Sequence, residues 1–254
     1  MSHAISWIFF DIGNVLFNDD LAMARTWEIV FDEIRRTHPT VTFADLMAER
    51  EYLIQEEGDG GSYRAVARKY LGDERFVLAR QQVVQDLDRH YLKYHRLYAG
   101  VHDLLKELSS QYHLATAANQ VRSCRDVLEQ CGIADYFALH WLSDEVGLAK
   151  PDPKFLTALL EKTGCDPAEA VMVGDRIDYD IEPANRLGLH TVHVKHKREL
   201  ELDPNLTEPA RLYLSSLSRV SVSDVTPALP DQYPDAVVHS LQDIPAAVAA
   251  LAHS

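Results

Sequence analysis

The 254-residue chain is poor in cysteine and in basic charge, and no part of it is a long apolar run. Its three cysteines, Cys124, Cys131 and Cys165, form no C-x-x-C pair, which argues against a disulfide framework or a cysteine zinc site and leaves free thiols. Its 25 lysines and arginines are outnumbered by 39 acidic residues, and the resulting formal charge of −14 repels nucleic acid and anionic membrane surfaces. The one basic run, Lys195-His196-Lys197-Arg198, reads as a solvated loop after a strand. No stretch approaches the roughly 18 apolar residues of a membrane span, and Met1-Ser2-His3-Ala4 lacks the basic-then-apolar order of a secretory signal. A cytoplasmic protein without nucleic-acid or membrane partners is therefore expected, as a monomer or a homodimer. Against these absences stand 46% hydrophobic and 25% charged residues, the balance of a globular chain with a core to bury.

The first segment, Ile5 to Phe10, is almost continuously apolar and stops at Asp11, as a strand covered on both faces would. From about Leu21 to Tyr98 the pattern turns helical. Trp27, Val30, Phe31 and Ile34 fall on one stripe, and Gly58-Asp59-Gly60-Gly61 and Gly72-Asp73 divide the region into about four helices. After Tyr98, candidate strands at Leu114–Ala118, Ala138–Leu142, Val171–Val173, Thr191–Val194 and Ala236–Val238 alternate with helical patterns, which predicts a parallel sheet. The expected division is a core of residues 1–18 and 99–254 with a helical cap of residues 19–98 inserted after the first strand. An insertion there can serve as a lid over the strand carboxyl ends, where open α/β sheets bind ligands. Residues 199–234, with five prolines around one plausible helix, read as an irregular excursion of the core.

Four stretches stand at predicted strand ends or at the helix starts that follow: Asp11-Ile12-Gly13-Asn14, Ala118-Asn119-Gln120, Lys150-Pro151-Asp152-Pro153, and Gly174-Asp175-Arg176 with Asp180. Carboxylates converging outside one sheet repel one another unless a divalent cation holds them, and hard oxygen ligands suit Mg²⁺. A metal and Lys150 would hold a phosphoryl group in line with Asp11, whose carboxylate attacks phosphorus. The backbone N–H groups of Asn119 and Gln120 can bind phosphate oxygens. Asp178 reads as a helix N-terminal acid rather than a ligand. His190, His193 and His196 read as strand and loop histidines, because a three-residue spacing points the first two to opposite faces of a strand. Trp27, Phe31, Tyr91 and Tyr98 read as cap core.

In this order and spacing the chain resembles the haloacid dehalogenase-like hydrolase superfamily. Val173 to Ile181, followed by Ala184 and Leu187-Gly188, is similar to its acidic metal motif, and Gly147 to Pro153 to its lysine motif. The resemblance implies an α/β fold with a Rossmann-like parallel sheet, helices on both faces and an inserted helical-bundle cap. It implies an Mg²⁺-dependent phosphatase of a small phosphorylated substrate, sugar phosphates first, working through an aspartyl-phosphate. It assigns Asp11 as nucleophile, Lys150 as neutralising lysine, and Asp11, Asp175, Asp180 and the Gly13 carbonyl as metal ligands. Two positions depart from the family pattern. Gly13 stands where phosphatases usually carry an aspartate acid–base, with Asn14, Asp19 and Asp20 as nearby candidates to replace it. Ala118 stands where a serine or threonine usually meets the phosphoryl group, and Thr116 lies two residues earlier on the same strand face. A similar Asp-x-Gly-Asn start occurs in a branch resembling sugar-phosphate phosphatases. The departures keep open a phosphoryl-ligand sensor without turnover. A haloacid dehalogenase, which needs no metal, fits the retained Asp175 and Asp180 less well.

Overall fold

The computed structural model describes residues 4–56, 63–196 and 205–252. The expected break at Gly58-Asp59-Gly60-Gly61, and Lys197 and Arg198 of the basic run, lie outside them. The strands are β1 (Trp7–Phe10), β2 (Phe17–Asn18), β3 (Arg96–Leu97), β4 (His113–Ala118), β5 (Leu139–Leu142), β6 (Ala170–Gly174), β7 (His190–Val194) and β8 (Ala236–Val238). Six of them form a parallel sheet in the order β5-β4-β1-β6-β7-β8. β1 is central, and its Ile8, Phe9 and Phe10 are wholly buried, which is why an unbroken apolar run was needed there. From β1 the order runs outward to β4 and β5 on one side, and to β6, β7 and β8 on the other. The β1/β6 boundary is therefore the switch point, the place where open α/β sheets leave a crevice.

The helices are α1 (Asp20–Thr37), α2 (Phe43–Glu56), α3 (Tyr63–Arg89), α4 (Tyr91–Tyr94), α5 (Val101–Ser109), α6 (Cys124–Gln130), α7 (Ser143–Val146), α8 (Pro153–Thr163), α9 (Glu182–Leu187), α10 (Glu208–Arg219) and α11 (Ile244–Leu251). None is long and apolar enough to cross a membrane. The chain divides into two compact units. In the sheet unit, Phe9, Ala115, Ala117 and Met172 pack with Phe155, Leu156 and Leu159 of α8. That helix starts cleanly, with Asp152 accepting the Lys154 N–H at 2.9 Å and Pro153 in its first turn.

The helical unit comprises Asp19–His95 together with residues 205–225. This corrects the expected division, which kept everything after residue 98 with the sheet. α10 presents Ala210, Tyr213, Leu214 and Leu217 to the same core as Trp27, Val30, Phe31 and Ile34 of α1. Buried Arg50 of α2 ties it down, donating from Nη1 to Ser216 Oγ and to the Val220 carbonyl, both at 3.0 Å, with its guanidinium over the Tyr213 ring. The predicted break at Gly72 is a non-helical residue with φ 67° inside α3. Tyr98 belongs instead to the sheet unit, where its ring lies against His196 and its N–H donates to the Leu16 carbonyl. The antiparallel β2–β3 pair, absent from the sequence reading, joins the two chain segments where they leave and re-enter the sheet unit.

Candidate active site

Asp11 follows the last residue of β1, and its N–H donates to the Val173 carbonyl of β6 at 2.9 Å, so the sheet ladder holds its backbone. Beyond it the chain turns back sharply. The Ile12 carbonyl accepts from the Leu16 and Phe17 N–H groups at 2.9 and 3.0 Å, and Asn14 takes the left-handed conformation, φ 50°, which asparagine tolerates better than most residues. Asp175 follows β6. Asp180 lies in a single π-helical turn, Ile177–Ile181, a conformation that recurs at functional sites.

One carboxylate oxygen from each of Asp11, Asp175 and Asp180 lies within 4.8 Å of the others. Lys150 Nζ bridges two of them, 2.9 Å from Asp11 Oδ1 and 2.5 Å from Asp180 Oδ1. Lys150, Asp175 and Asp180 are buried, whereas the Asp11 side chain keeps 15% exposure, enough to meet a ligand. Burial pushes the Asp11 carboxyl above the ordinary range; the Lys150 ammonium opposes that rise and Asp175 adds to it. Burial likewise pushes Asp180 up to about 6, against Lys150 and with Asp11. Burial alone would lower Lys150, but the charges of Asp11 and Asp180 raise it, so it stays an ammonium. Three carboxylates around one ammonium leave an excess of negative charge, and all the donor atoms are hard oxygens. This donor set suits a divalent cation such as Mg²⁺.

Gly174 shows why the motif carries glycine: a Cβ there would overlap the Asp180 carboxylate. Gly174→Ala should therefore displace Asp180 and destabilise the chain by about 1–3 kcal/mol in urea unfolding, as overpacked sites do.

The other expected site residues fall as follows. Asn119 does not project freely into the site. Its Nδ2 donates to the Lys150 carbonyl at 2.7 Å and its Oδ1 accepts the Lys150 N–H at 2.8 Å, an amide clamp on the lysine's backbone that sequence reasoning missed. The Gln120 carbonyl accepts from the Asp144 N–H at 3.2 Å. Gly13 opens the turn after Asp11 and bridges to Phe17. Thr116 Oγ1 accepts the Trp141 N–H at 2.9 Å, a structural task between β4 and β5. Asp178 forms a two-pronged pair with Arg176, at 2.7 and 2.5 Å, off the carboxylate cluster. Asp19 and Asp20 belong to the helical unit, where Asp19 lies 3.9 Å from His95 Nε2.

Among proteins of known activity, the chain is 28% identical over 226 residues to the glyceraldehyde 3-phosphate phosphatase of Pyrococcus furiosus, covering 85% of this chain and 91% of that one. It is 30% identical over 173 residues to the phosphoglycolate phosphatase of Neisseria meningitidis, covering 59% and 73%. Among solved structures, a haloacid dehalogenase-like family hydrolase of Streptococcus pneumoniae superposes with a TM-score of 0.64 over 95% of this chain and 97% of that one. At 16% identity this is a likeness of fold alone. A profile of the haloacid dehalogenase-like hydrolases matches residues 5–188, from the approach to β1 to the glycine that ends α9, and the chain belongs to this hydrolase family.

Proposed function

We propose that the chain is an Mg²⁺-dependent phosphatase of a small phosphorylated metabolite, with sugar phosphates as the first substrates to test. The observation that carries this reading is the exposed edge of Asp11, set 2.9 Å from a buried ammonium and within one cluster with Asp175 and Asp180. The phosphatase names of the similar proteins above agree with it.

In this mechanism Asp11, Asp175, Asp180 and the Gly13 carbonyl would hold Mg²⁺, which would supply positive charge to offset that of the phosphoryl oxygens and the clustered carboxylates. Lys150 supplies the fixed positive charge beside Asp11. Together with the N–H groups of Asn119 and Gln120 it orients the phosphoryl group toward that carboxylate. Asp11 attacks phosphorus as its bond to the ester oxygen breaks, giving an aspartyl-phosphate and an oxyanion that takes its proton from solvent water; a second water then attacks phosphorus, gives up a proton to solvent, and returns the Asp11 carboxylate and phosphate. Phosphate release from a panel of small phosphate esters, with Mg²⁺ or with chelator, tests this reading. Metal-dependent release supports it, and no release from folded protein on any ester overturns it.

Two further outcomes follow. Because Gly13 offers no carboxyl to protonate a leaving group, turnover should favour an activated aryl phosphate or acetyl phosphate over alkyl esters. Gly13→Asp should raise turnover of alkyl esters by about 10²–10⁴-fold, the usual contribution of a positioned acid, as read from kcat on both ester classes. Mg²⁺ binding should weaken in acid. Asp180, raised from 3.8 to about 6, takes up a proton that competes with the cation. The dissociation constant from calorimetry should therefore rise about tenfold per pH unit below about 6. The same shift has a sign for stability: the folded chain binds the extra proton, so this group lowers metal-free stability as pH rises through that window, and the cation restores it.

Gly13 and Ala118 favour one second reading, a sensor that binds phosphoryl ligands without turning them over. Mg²⁺-dependent ligand binding with no product would select it.

A further inference from the structure

We infer that His193 is a positioning residue for the carboxylate cluster: its ring locks the peptide plane between Asp175 and Arg176, and that plane aims both Asp175 and Asp180. β6 ends at Gly174, the register partner of His193 on β7, so Asp175 lies one residue beyond the last paired position. Its carbonyl belongs to a buried residue and needs a donor. His193, 1% exposed, provides one: Nε2–H donates to the Asp175 carbonyl at 2.9 Å, which places the ring proton on Nε2.

The same peptide unit carries the Arg176 N–H, which donates to Asp180 Oδ2 at 3.0 Å. A peptide unit is a rigid plane. Its carbonyl is held by His193 and its N–H by Asp180, so a rotation that breaks one bond breaks the other. The other oxygen of Asp180 accepts from Lys150 Nζ, which in turn meets Asp11. The line of contacts therefore runs from a histidine outside the cluster, through one peptide plane, to each end of the site. Without the His193 donor the buried Asp175 carbonyl loses this bond and the peptide plane loses one of its two anchors. The peptide is then freer to rotate, which weakens the Arg176–Asp180 bond and lets the carboxylates spread.

The inference rests on reading the cluster as a cation site, so its test has one arm with Mg²⁺ and one without. His193→Met and His193→Leu remove the donor while keeping apolar bulk; His193→Gln keeps a donor at the position of Nε2. Calorimetry without substrate should show the Mg²⁺ dissociation constant raised about 10- to 100-fold in the two donorless variants, the usual cost of losing a group that orients a ligand, and near wild type in His193→Gln. In chelator, hydrogen exchange at the Arg176 amide should accelerate in the donorless variants and be restored in His193→Gln. Unchanged affinity and exchange in a folded donorless variant overturn the inference. So does a His193→Gln as impaired as His193→Met, which would make the ring a packing element. If the wild type binds no Mg²⁺, the cation reading fails on its own, and the Arg176 exchange alone decides the role of His193.

Discussion

Asp11→Asn should lower phosphate-ester turnover by about 10⁴-fold or more, while leaving the metal-free fold at least as stable as the wild type. The two halves of this result come from opposite properties of one side chain. Asparagine has the shape of aspartate but cannot form the acyl phosphate, so the covalent route closes. The stability half follows from electrostatics. Burial raises the Asp11 carboxyl despite the adjacent Lys150, so ionising it costs more in the folded chain than in the unfolded one. The amide removes that charge, and Lys150 keeps Asp180 at 2.5 Å. Turnover of an activated aryl phosphate and urea unfolding in chelator measure the two halves. Retained turnover would remove Asp11 from the chemistry, and a large loss of stability would mean that Lys150 needs both partners.

Lys150→Met should do the reverse to stability. It removes the ammonium that bridges Asp11 and Asp180 and leaves the buried Asp180 carboxylate facing the partly exposed one of Asp11. Stripping one partner from a buried ion pair costs about 3–5 kcal/mol, because the charge left behind has neither water nor counter-ion. The loss should shrink as pH falls, because Asp180, already raised to about 6 with the lysine in place, takes its proton still more readily without it, and on adding Mg²⁺, which replaces the missing positive charge. Turnover should fall by about 10²–10³-fold, the scale of one lost electrostatic contact to the reacting group. Lys150→Arg should not restore it, since the broad planar guanidinium does not fit where a lysine sits 4% exposed between two carboxylates. Urea unfolding in chelator at two pH values checks the pattern, and wild-type stability in Lys150→Met would contradict it.

The sheet was readable in the sequence because a doubly covered parallel strand must be continuously apolar, and Trp7–Phe10 and Ala170–Gly174 meet that demand. The carboxylates and lysine were readable because Asp11 and Asp175 follow strand ends, while Asp180 and Lys150 stand in or just before the helical turns beyond them. What the sequence concealed are contacts made at a distance. The stripe Ala210, Tyr213, Leu214 and Leu217 identifies the buried face of α10 but not its partner, so the helix was assigned to the wrong unit. The β2–β3 pair has two residues in each strand, too few to show a period. The sequence places the backbone N–H of Asn119 at a strand end, where it can meet phosphate, but says nothing of its side-chain amide. The partners of that amide are backbone groups of a residue 31 positions later. His193 reads as a strand histidine, and no local pattern tells that its ring reaches the Asp175 carbonyl just past the end of the neighbouring strand.

The central claim is that Asp11 is the residue that receives the phosphoryl group. Rapid acid quench during turnover of an activated phosphate ester with Mg²⁺, followed by proteolysis and mass spectrometry, tests it directly. The peptide containing Asp11 should carry one phosphoryl group that is lost in mild base and absent from Asp11→Asn. An enzyme that releases phosphate under these conditions with an unmodified Asp11 peptide, and keeps doing so as Asp11→Asn, would contradict the account.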